Sequence, residues 1–157
     1  MVKMAKNFAS IRECVTSIDG DSCDSDTMNS SSGLQILLVE DDEADAYLIK
    51  NALNNNSRIS CVVHAKDGVE ALEMLENGMA SPDLAIVDLH MPRKNGFSLL
   101  LDFAAADHAR FPSVVLTSSR SGADALRSRK RGAGAVVVKP NTMQKLTCAL
   151  DELISAI

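Results

Sequence analysis

The chain has 157 residues, of which 46% are hydrophobic and 24% charged, so it can form one domain with a good core and has little room for a second. A net charge of −5 argues against a generic nucleic-acid binder, and an aromatic content of 3% argues against a surface that stacks bases. No apolar run approaches the ~20 residues that span a bilayer, and the N-terminus has no signal pattern, so we predict a cytoplasmic protein.

Residues 1–33 differ in composition from the rest of the chain. The segment 19–33 holds four aspartates and five serines and has almost no apolar side chain to bury. Such a composition is typical of disordered segments, because it cannot bury enough apolar surface to offset the entropy lost on folding. We therefore predict a flexible N-terminal extension over residues 1–33 and a folded domain over residues 34–157.

From Leu34 onward, short apolar runs alternate with segments in which apolar residues recur at helical spacing. We predict five strands, at 36–39, 59–63, 84–88, 114–117 and 135–138. The predicted helices follow these strands in turn, at about 44–53, 69–75, 97–106, 122–130 and 142–156. Regular alternation of strands and helices predicts parallel strands joined by right-handed crossovers, with helices on both faces of the sheet.

The third predicted strand carries one carboxylate at its C-terminal end. Residues 84–87 are apolar, so this strand should be buried on both faces, and it ends at Asp88. Open parallel sheets place their ligands in the crevice beyond these strand ends, so Asp88 is either a solvated strand end or a functional group. Pro92, Asn95 and Gly96 predict a turn before the next helix.

Polar side chains also follow the C-terminal ends of three other strands: Glu40 and Asp41 after the first, Thr117 and Ser118 at the fourth, Lys139 and Pro140 after the fifth. Because these ends lie along one edge of the sheet, we expect the side chains to share a crevice with Asp88. Three crowded carboxylates would repel one another unless a cation lay among them. Oxygen ligands with room for water indicate Mg²⁺ better than Ca²⁺.

These groups suit a phosphoryl group, whose three charged oxygens need a cation, an ammonium group and a hydroxyl donor. Asp88 would then be the nucleophile that forms an acyl phosphate. Each position also has a plainer interpretation. Residues 40–42 could be acids at a helix N-terminus, Thr117 a capping residue and Lys139 a solvated strand end.

The motifs ILLVEDD, DLAIVDLHMPRKNG, VVLTSS and VVVKP resemble, in this combination, the receiver domain of two-component response regulators, over residues 34–157. The resemblance implies a flavodoxin-like, five-stranded parallel sheet in the order 2-1-3-4-5. It also implies a switch protein that a sensor histidine kinase phosphorylates on an aspartate. The segment VEDDEADAYLIKNAL looks most like small stand-alone regulators paired with bacterial phytochromes. A regulator without an output domain would signal through protein contacts, homodimerisation or phosphotransfer.

By this resemblance Asp88 is the phosphoacceptor and Thr117 the switch hydroxyl, with Ser118 beside it. The remaining implied roles are Mg²⁺ binding by Glu40, Asp41, Asp88 and the backbone carbonyl of His90, phosphate pairing by Lys139, and a cis peptide bond before Pro140. One position departs from the family pattern. Receivers usually carry Tyr or Phe three residues before the lysine, where this chain has Val136. A valine has no ring to swing, which leaves open how the threonine signals here.

Two other functions fit part of the pattern. An aspartyl-phosphate phosphohydrolase of the haloacid dehalogenase pattern would need a second acid two residues after the nucleophile, where this chain has His90. Such enzymes also usually carry a cap domain, for which this chain has no room. A degenerate receiver acting as a binding adaptor is the other alternative, and the intact acids and lysine argue against it.

Two further groups of residues have open interpretations. The fourth predicted helix ends in a basic patch, which is either a solvated face or a partner-docking surface: Arg127, Arg129, Lys130 and Arg131. Cys61 and Cys148 lie in apolar contexts and are predicted to be buried thiols rather than metal ligands.

Overall fold

Five parallel strands form one sheet in the order β2-β1-β3-β4-β5, in a computed structural model that describes residues 33–78, 80–106 and 111–157. The strands are β1 (Leu34–Val39), β2 (Ile59–Ala65), β3 (Leu84–Val87), β4 (Ser113–Thr117) and β5 (Ala135–Val138). The helices are α1 (Glu43–Asn54), α2 (Gly68–Glu76), α3 (Gly96–Ala105), α4 (Gly122–Lys130) and α5 (Met143–Ser155). The predicted elements and the strand order are confirmed. The predicted extension lies outside the described residues, except for Gly33.

Helices cover both faces of the sheet because successive strand residues point to opposite sides. Ile36 and Leu38 of β1 pack with side chains of α1 and α5 in one apolar cluster. Leu37 and Val39 pack on the other side with side chains of α2 and α3. This two-sided burial explains why the central strands are apolar without alternation.

Each of the five helices begins at a polar side chain that accepts a backbone hydrogen bond from its first turn. These caps are Asp42, Asp67, Asn95, Ser121 and Thr142. Such a cap contributes ~1 kcal/mol and fixes the residue at which a helix starts. All five helix starts follow strand C-termini, so the caps also fix the loops that border the crevice.

The predicted burial of the cysteines is wrong, because both thiols are exposed. Cys61 lies on β2, one of the two edge strands of the sheet, where it and its neighbour Ser60 are both exposed. Cys148 lies on α5 between the buried positions Leu146 and Leu150, on the side of the helix turned away from the core. Apolar neighbours in sequence therefore did not indicate which face these residues occupy. No helix in the described part of the chain is long and apolar enough to cross a membrane.

Candidate functional site

The crevice at the C-terminal edge of the sheet contains buried polar side chains from three strand ends. Glu40 follows β1 and is 2% exposed, Asp88 follows β3 and is 7% exposed, and Thr117 ends β4 and is 1% exposed. Asp41, in contrast, is exposed. Burying carboxylates is costly unless they find partners, so the contacts of Glu40 and Asp88 determine what this crevice can do.

Glu40, Asp41 and Asp88 together offer a set of oxygen ligands. One carboxylate oxygen from each of the three residues lies within 4.8 Å of the others. A hard divalent cation such as Mg²⁺ binds oxygen atoms at about 2.0–2.1 Å, which small side-chain adjustments would allow here. The exposure of Asp41 leaves room for water on the open side. The acidic cluster therefore fits a divalent metal ion.

Lys139, directly after β5, extends its ammonium group among carboxylates. Its Nζ lies 2.6 Å from Glu40 Oε2, 2.7 Å from Asp45 Oδ2 and 3.8 Å from Asp88 Oδ1. Burial disfavours the charged ammonium. Its hydrogen bonds to Asp45 and Glu40 and the nearby charges of Asp88 and Glu40 outweigh burial, so the pKa of Lys139 stands above its ordinary value. Lys139 is therefore a fixed positive charge beside Asp88.

The protonation of Glu40 depends strongly on its surroundings in the crevice. Burial, with a smaller contribution from the nearby charge of Asp88, raises the pKa of Glu40 from 4.5 to about 7, although the hydrogen bond and charge of Lys139 act in the opposite direction. A metal ion would add positive charge that favours the ionised carboxylate. The protonation of Glu40 and the binding of a cation in this crevice are thus expected to be coupled.

The loop after β3 comes close to Asp88, and this contact requires a glycine. The amide of His90 donates to Asp88 Oδ2 at 3.2 Å, whereas the His90 side chain is exposed. The amide of Gly96 donates to the carbonyl of Leu89 at 3.1 Å. A Cβ added at Gly96 would lie 2.2 Å from the carbonyl oxygen of Asp88, which is far inside van der Waals contact. Gly96 therefore sets how closely α3 approaches the phosphoacceptor candidate.

An ion pair between the exposed Arg93 and the buried Asp67 ties the same loop to the start of α2. The guanidinium of Arg93 donates to Asp67 Oδ2 at 2.7 Å through Nε, and Asp67 also caps α2 through the amides of Val69 and Glu70. Although burial favours the protonated form, these hydrogen bonds hold the pKa of Asp67 below its ordinary value. Arg93 has a φ of 59°, which is uncommon for a residue other than glycine. No sequence pattern indicated this pair, because its two residues are 26 positions apart.

Thr117 and Ser118 occupy different environments at the end of β4. The hydroxyl oxygen of Thr117 accepts from the amide of Ser119 at 3.1 Å, and the Thr117 carbonyl accepts from the amide of Lys139 at 2.8 Å. Ser119 Oγ in turn donates to Asp124 Oδ2 at 2.7 Å, which links this loop to α4. Ser118 is exposed. The structure thus brings Thr117 next to Lys139 along the sheet edge and leaves Ser118 at the surface.

The implied cis peptide bond before Pro140 is a wrong prediction. The peptide bonds of the described residues, including this one, are all trans. The trans isomer is the lower-energy form of such a bond by about 0.5–1 kcal/mol, so it is the default where the surroundings do not force the other. The prediction rested on resemblance alone, and no residue pattern in the chain supported it independently.

Comparison with known proteins gives this fold and crevice a family. The family model described as the response regulator receiver domain matches residues 36–151. The chain therefore belongs to the response regulator receiver family, whose members are the phosphorylated elements of two-component signalling. This result confirms the class of protein that the sequence motifs indicated.

Two relatives are regulators of a length similar to this chain, and a third is much longer. The crystal structure of the phosphorylated cyanobacterial phytochrome response regulator RcpA matches with 30% identity and a TM-score of 0.72, covering 78% of this chain and 91% of that one. Response regulator Rcp1 of Synechocystis is 29% identical over 71% of this chain and 80% of its own length. The sensor histidine kinase CheAY of Helicobacter pylori is 28% identical over 98% of this chain, which spans only 19% of that kinase.

Proposed function

We propose that this chain is a response regulator that accepts a phosphoryl group on Asp88 from a sensor histidine kinase. The observation that supports this most is the setting of Asp88. Its carboxylate is buried at a strand end, within 4.8 Å of the oxygens of Glu40 and Asp41 and 3.8 Å from the ammonium of Lys139. A carboxylate in this setting is oriented for attack on a phosphorus atom, and cationic groups can neutralise the incoming charge.

In the proposed reaction an Asp88 carboxylate oxygen attacks the phosphorus atom of a phosphohistidine. The phosphorus–nitrogen bond breaks, the imidazole nitrogen keeps the electron pair, and Asp88 becomes an acyl phosphate. Lys139 then donates to one phosphoryl oxygen, and the hydroxyl of Thr117 donates to another. Mg²⁺ would be held by Glu40, Asp41, Asp88 and the backbone carbonyl of His90, and it would supply positive charge that helps to neutralise the phosphoryl group.

Incubation with acetyl phosphate and Mg²⁺ tests the phosphoacceptor. The wild type should gain one acid-stable, hydroxylamine-labile adduct, and Asp88→Asn should gain none. Asp83→Asn is a matched control, because Asp83 lies at the opposite end of β3, where its side chain accepts from the amide of Gln35 at 2.8 Å. The same adduct in Asp88→Asn, or no adduct from acetyl phosphate and from a cognate kinase alike, would refute the assignment.

We propose Mg²⁺ as the resident ion, because the donor set is purely oxygen and one side of the cluster is open to water. A crystal structure of the Mn²⁺-bound form of response regulator Rcp1, 28% identical with a TM-score of 0.69, supports a divalent ion at this kind of site. Millimolar Mg²⁺ should raise the melting temperature of the wild type by mass action, and Asp41→Asn should require more Mg²⁺ for the same rise.

Asp42→Asn is the control for the magnesium experiment. It removes the same charge from the neighbouring position, and asparagine caps a helix as well as aspartate does. Equal magnesium dependence in Asp41→Asn and Asp42→Asn would exclude Asp41 as a ligand.

The likeness to RcpA and Rcp1 supports a phytochrome-type histidine kinase as the first phosphodonor to test. We further propose that residues 34–157 form the receiver domain and that the chain catalyses only the gain and loss of its own phosphoryl group. The phosphohydrolase alternative would need an acid at the position of His90. Homodimerisation, a cytoplasmic location and the lack of nucleic-acid binding stay predictions.

A further inference from the structure

Lys139 contacts one more carboxylate than the resemblance to receivers accounts for. Asp45, in the first turn of α1, accepts from Lys139 Nζ at 2.7 Å, nearly as close as Glu40 at 2.6 Å. The nearest oxygen of Asp88 is more than 1 Å farther from the ammonium, at 3.8 Å. Asp45 does not belong to the three-residue acidic cluster that could hold a metal ion. Its contact with Lys139 therefore needs an explanation of its own.

The backbone of α1 places Asp45 beside Lys139. Asp42 caps the helix by accepting from the amide of Asp45 at 2.9 Å, and the carbonyl of Asp42 accepts from the amide of Ala46, also at 2.9 Å. Ala46 and Ile49 of the same helix are buried against the sheet, which fixes the rotation of α1 about its axis. Asp45 is thus held at the crevice rim by helix geometry, whether or not Lys139 is nearby.

The ammonium of Lys139 has a limited number of hydrogen-bond donors to share. It carries three N–H groups, and Glu40 and Asp45 are both at hydrogen-bond distance. The Lys139 side chain is 13% exposed, so water screens these contacts poorly, while that of Asp45 is 39% exposed and faces solvent in part. A phosphoryl group on Asp88 would have to attract an ammonium group that Asp45 already binds.

We propose that Asp45 is a positioning residue that holds the Lys139 ammonium away from Asp88 and so weakens the affinity of the crevice for a phosphoryl group. The inference rests on the proposed function, because it concerns the lysine that would pair with the phosphoryl oxygens. A residue that instead aimed Lys139 towards Asp88 would strengthen phosphoryl binding. The two roles therefore predict opposite signs when the Asp45 charge is removed.

Beryllofluoride mimics the phosphoryl group. The change in its affinity when the Asp45 charge is removed, an increase or a decrease, distinguishes the two roles. Isothermal titration calorimetry at saturating Mg²⁺ would compare the wild type with Asp45→Asn and Asp45→Ala, after circular dichroism has shown each variant to be folded. Both variants should bind beryllofluoride roughly three- to tenfold more tightly, the range expected for losing a charge-assisted contact to a partly exposed carboxylate. Asp45→Glu, which restores the charge, should return the affinity towards the wild-type value.

Glu43→Gln is the matched charge control. Glu43 lies in the same first turn of α1 but pairs with Lys66 at 3.4 Å, with both side chains largely exposed. Its loss should leave the affinity unchanged. A double-mutant cycle adds a second control, because the gain from Asp45→Asn should vanish in the Lys139→Gln background if it acts through that ammonium.

Four results would overturn the inference. Unchanged or weaker binding in Asp45→Asn and Asp45→Ala would exclude competition for Lys139. An equal gain in beryllofluoride affinity in Glu43→Gln would mean that net charge alone causes the effect. A gain that persists in the Lys139→Gln background would mean that Asp45 acts through another group. A wild type that binds no beryllofluoride and gains no adduct on Asp88 would refute the proposed function as well, whereas the first three results would leave that function standing.

Discussion

Positively charged side chains contact other groups both in the crevice and between α3 and α4, but they differ in burial and in the groups that they contact. In the crevice, Lys139 is nearly buried and pairs with carboxylates. Between the two helices, the guanidinium carbons of Arg127 and Arg131 lie 4.3 and 5.9 Å from the centre of the Phe97 ring, and Arg131 also donates to the Phe97 carbonyl at 3.0 Å. Buried charges interact strongly and depend on pH, whereas cation–π contacts at the surface contribute ~0.5–1 kcal/mol.

This difference changes the interpretation of the basic patch on α4. Arg127 and Arg131 contact Phe97 of α3 in their own domain, and Arg127, Arg129 and Lys130 are all exposed. The patch is therefore neither purely a solvated face nor wholly free for a partner. Half of it helps to hold two helices together.

The two regions are also neighbours in the chain. Gly96, which lies against the carbonyl of Asp88, is followed by Phe97, which packs with Leu89 and Val115 in a small apolar cluster. Val136, at the position where receivers usually carry an aromatic residue, packs against the same cluster. Phe97 thus contributes an aromatic ring between the crevice and α4, through which we expect the two regions to be coupled.

The largest expected effect comes from adding a side-chain carbon where α3 lies against the backbone of Asp88. Gly96→Ala should lower the free energy of unfolding by about 3 kcal/mol, because the new Cβ would lie 2.2 Å from the Asp88 carbonyl oxygen. Gly122→Ala, at the start of α4, is the matched control, since its Cβ would meet nothing within 4 Å. Urea unfolding measures both, and equal stabilities would show that the close approach at Gly96 can relax freely.

The second effect is a pH dependence confined to the crevice. The folded-state pKa of Glu40 is about 7, above the value of 4.5 for a free side chain, so the folded protein binds more protons between these pH values. The contribution of Glu40 to stability is therefore present below pH 4.5 and is lost as the pH rises to about 7. Urea unfolding of metal-free protein should show this decline in the wild type and a weaker decline in Glu40→Gln.

Arg127→Ala serves as the comparison for this pH experiment, because it alters the α3–α4 contact and leaves the crevice acids in place. It should keep the wild-type pH profile. A decline in Glu40→Gln as steep as in the wild type would assign the pH dependence to other groups.

A smaller effect is expected from the cation–π contact itself. Arg127→Ala should lower the free energy of unfolding by about 0.5–1 kcal/mol, since its guanidinium lies 4.3 Å from the Phe97 ring centre. Arg129→Ala is the control on the same helix, because Arg129 is exposed and should change stability by less than ~0.5 kcal/mol. Equal losses in the two variants would mean that the stacking contributes nothing measurable.

The smallest effect concerns communication between the two regions. Beryllofluoride should change hydrogen exchange mainly in residues 117–131, with little change at 135–137, because Val136 is short and stiff at χ1. In Phe97→Leu, which keeps an apolar side chain but removes the ring under Arg127, the change in α4 should shrink. A response centred on 135–137 would assign the coupling to β5 instead, whereas an unaltered response in Phe97→Leu would exclude the ring as its carrier.

The sequence by itself determined the elements and the composition of the crevice. Apolar runs and helical spacing reflect local backbone preferences, so strands such as β3 and helices such as α4 could be found from neighbouring residues alone. Glu40, Asp41, Asp88 and Lys139 could be grouped because parallel strands end at one edge of a sheet. The strand order, in contrast, came from the family resemblance.

Only the tertiary structure decided which side chains meet across elements. Lys139 and Asp45 are 94 residues apart, and Arg93 and Asp67 are 26 apart, so no local period links them. The exposure of Cys61 followed from its strand lying at the edge of the sheet. The rotation and packing of each helix set such contacts, and these depend on the whole core rather than on any short stretch of sequence.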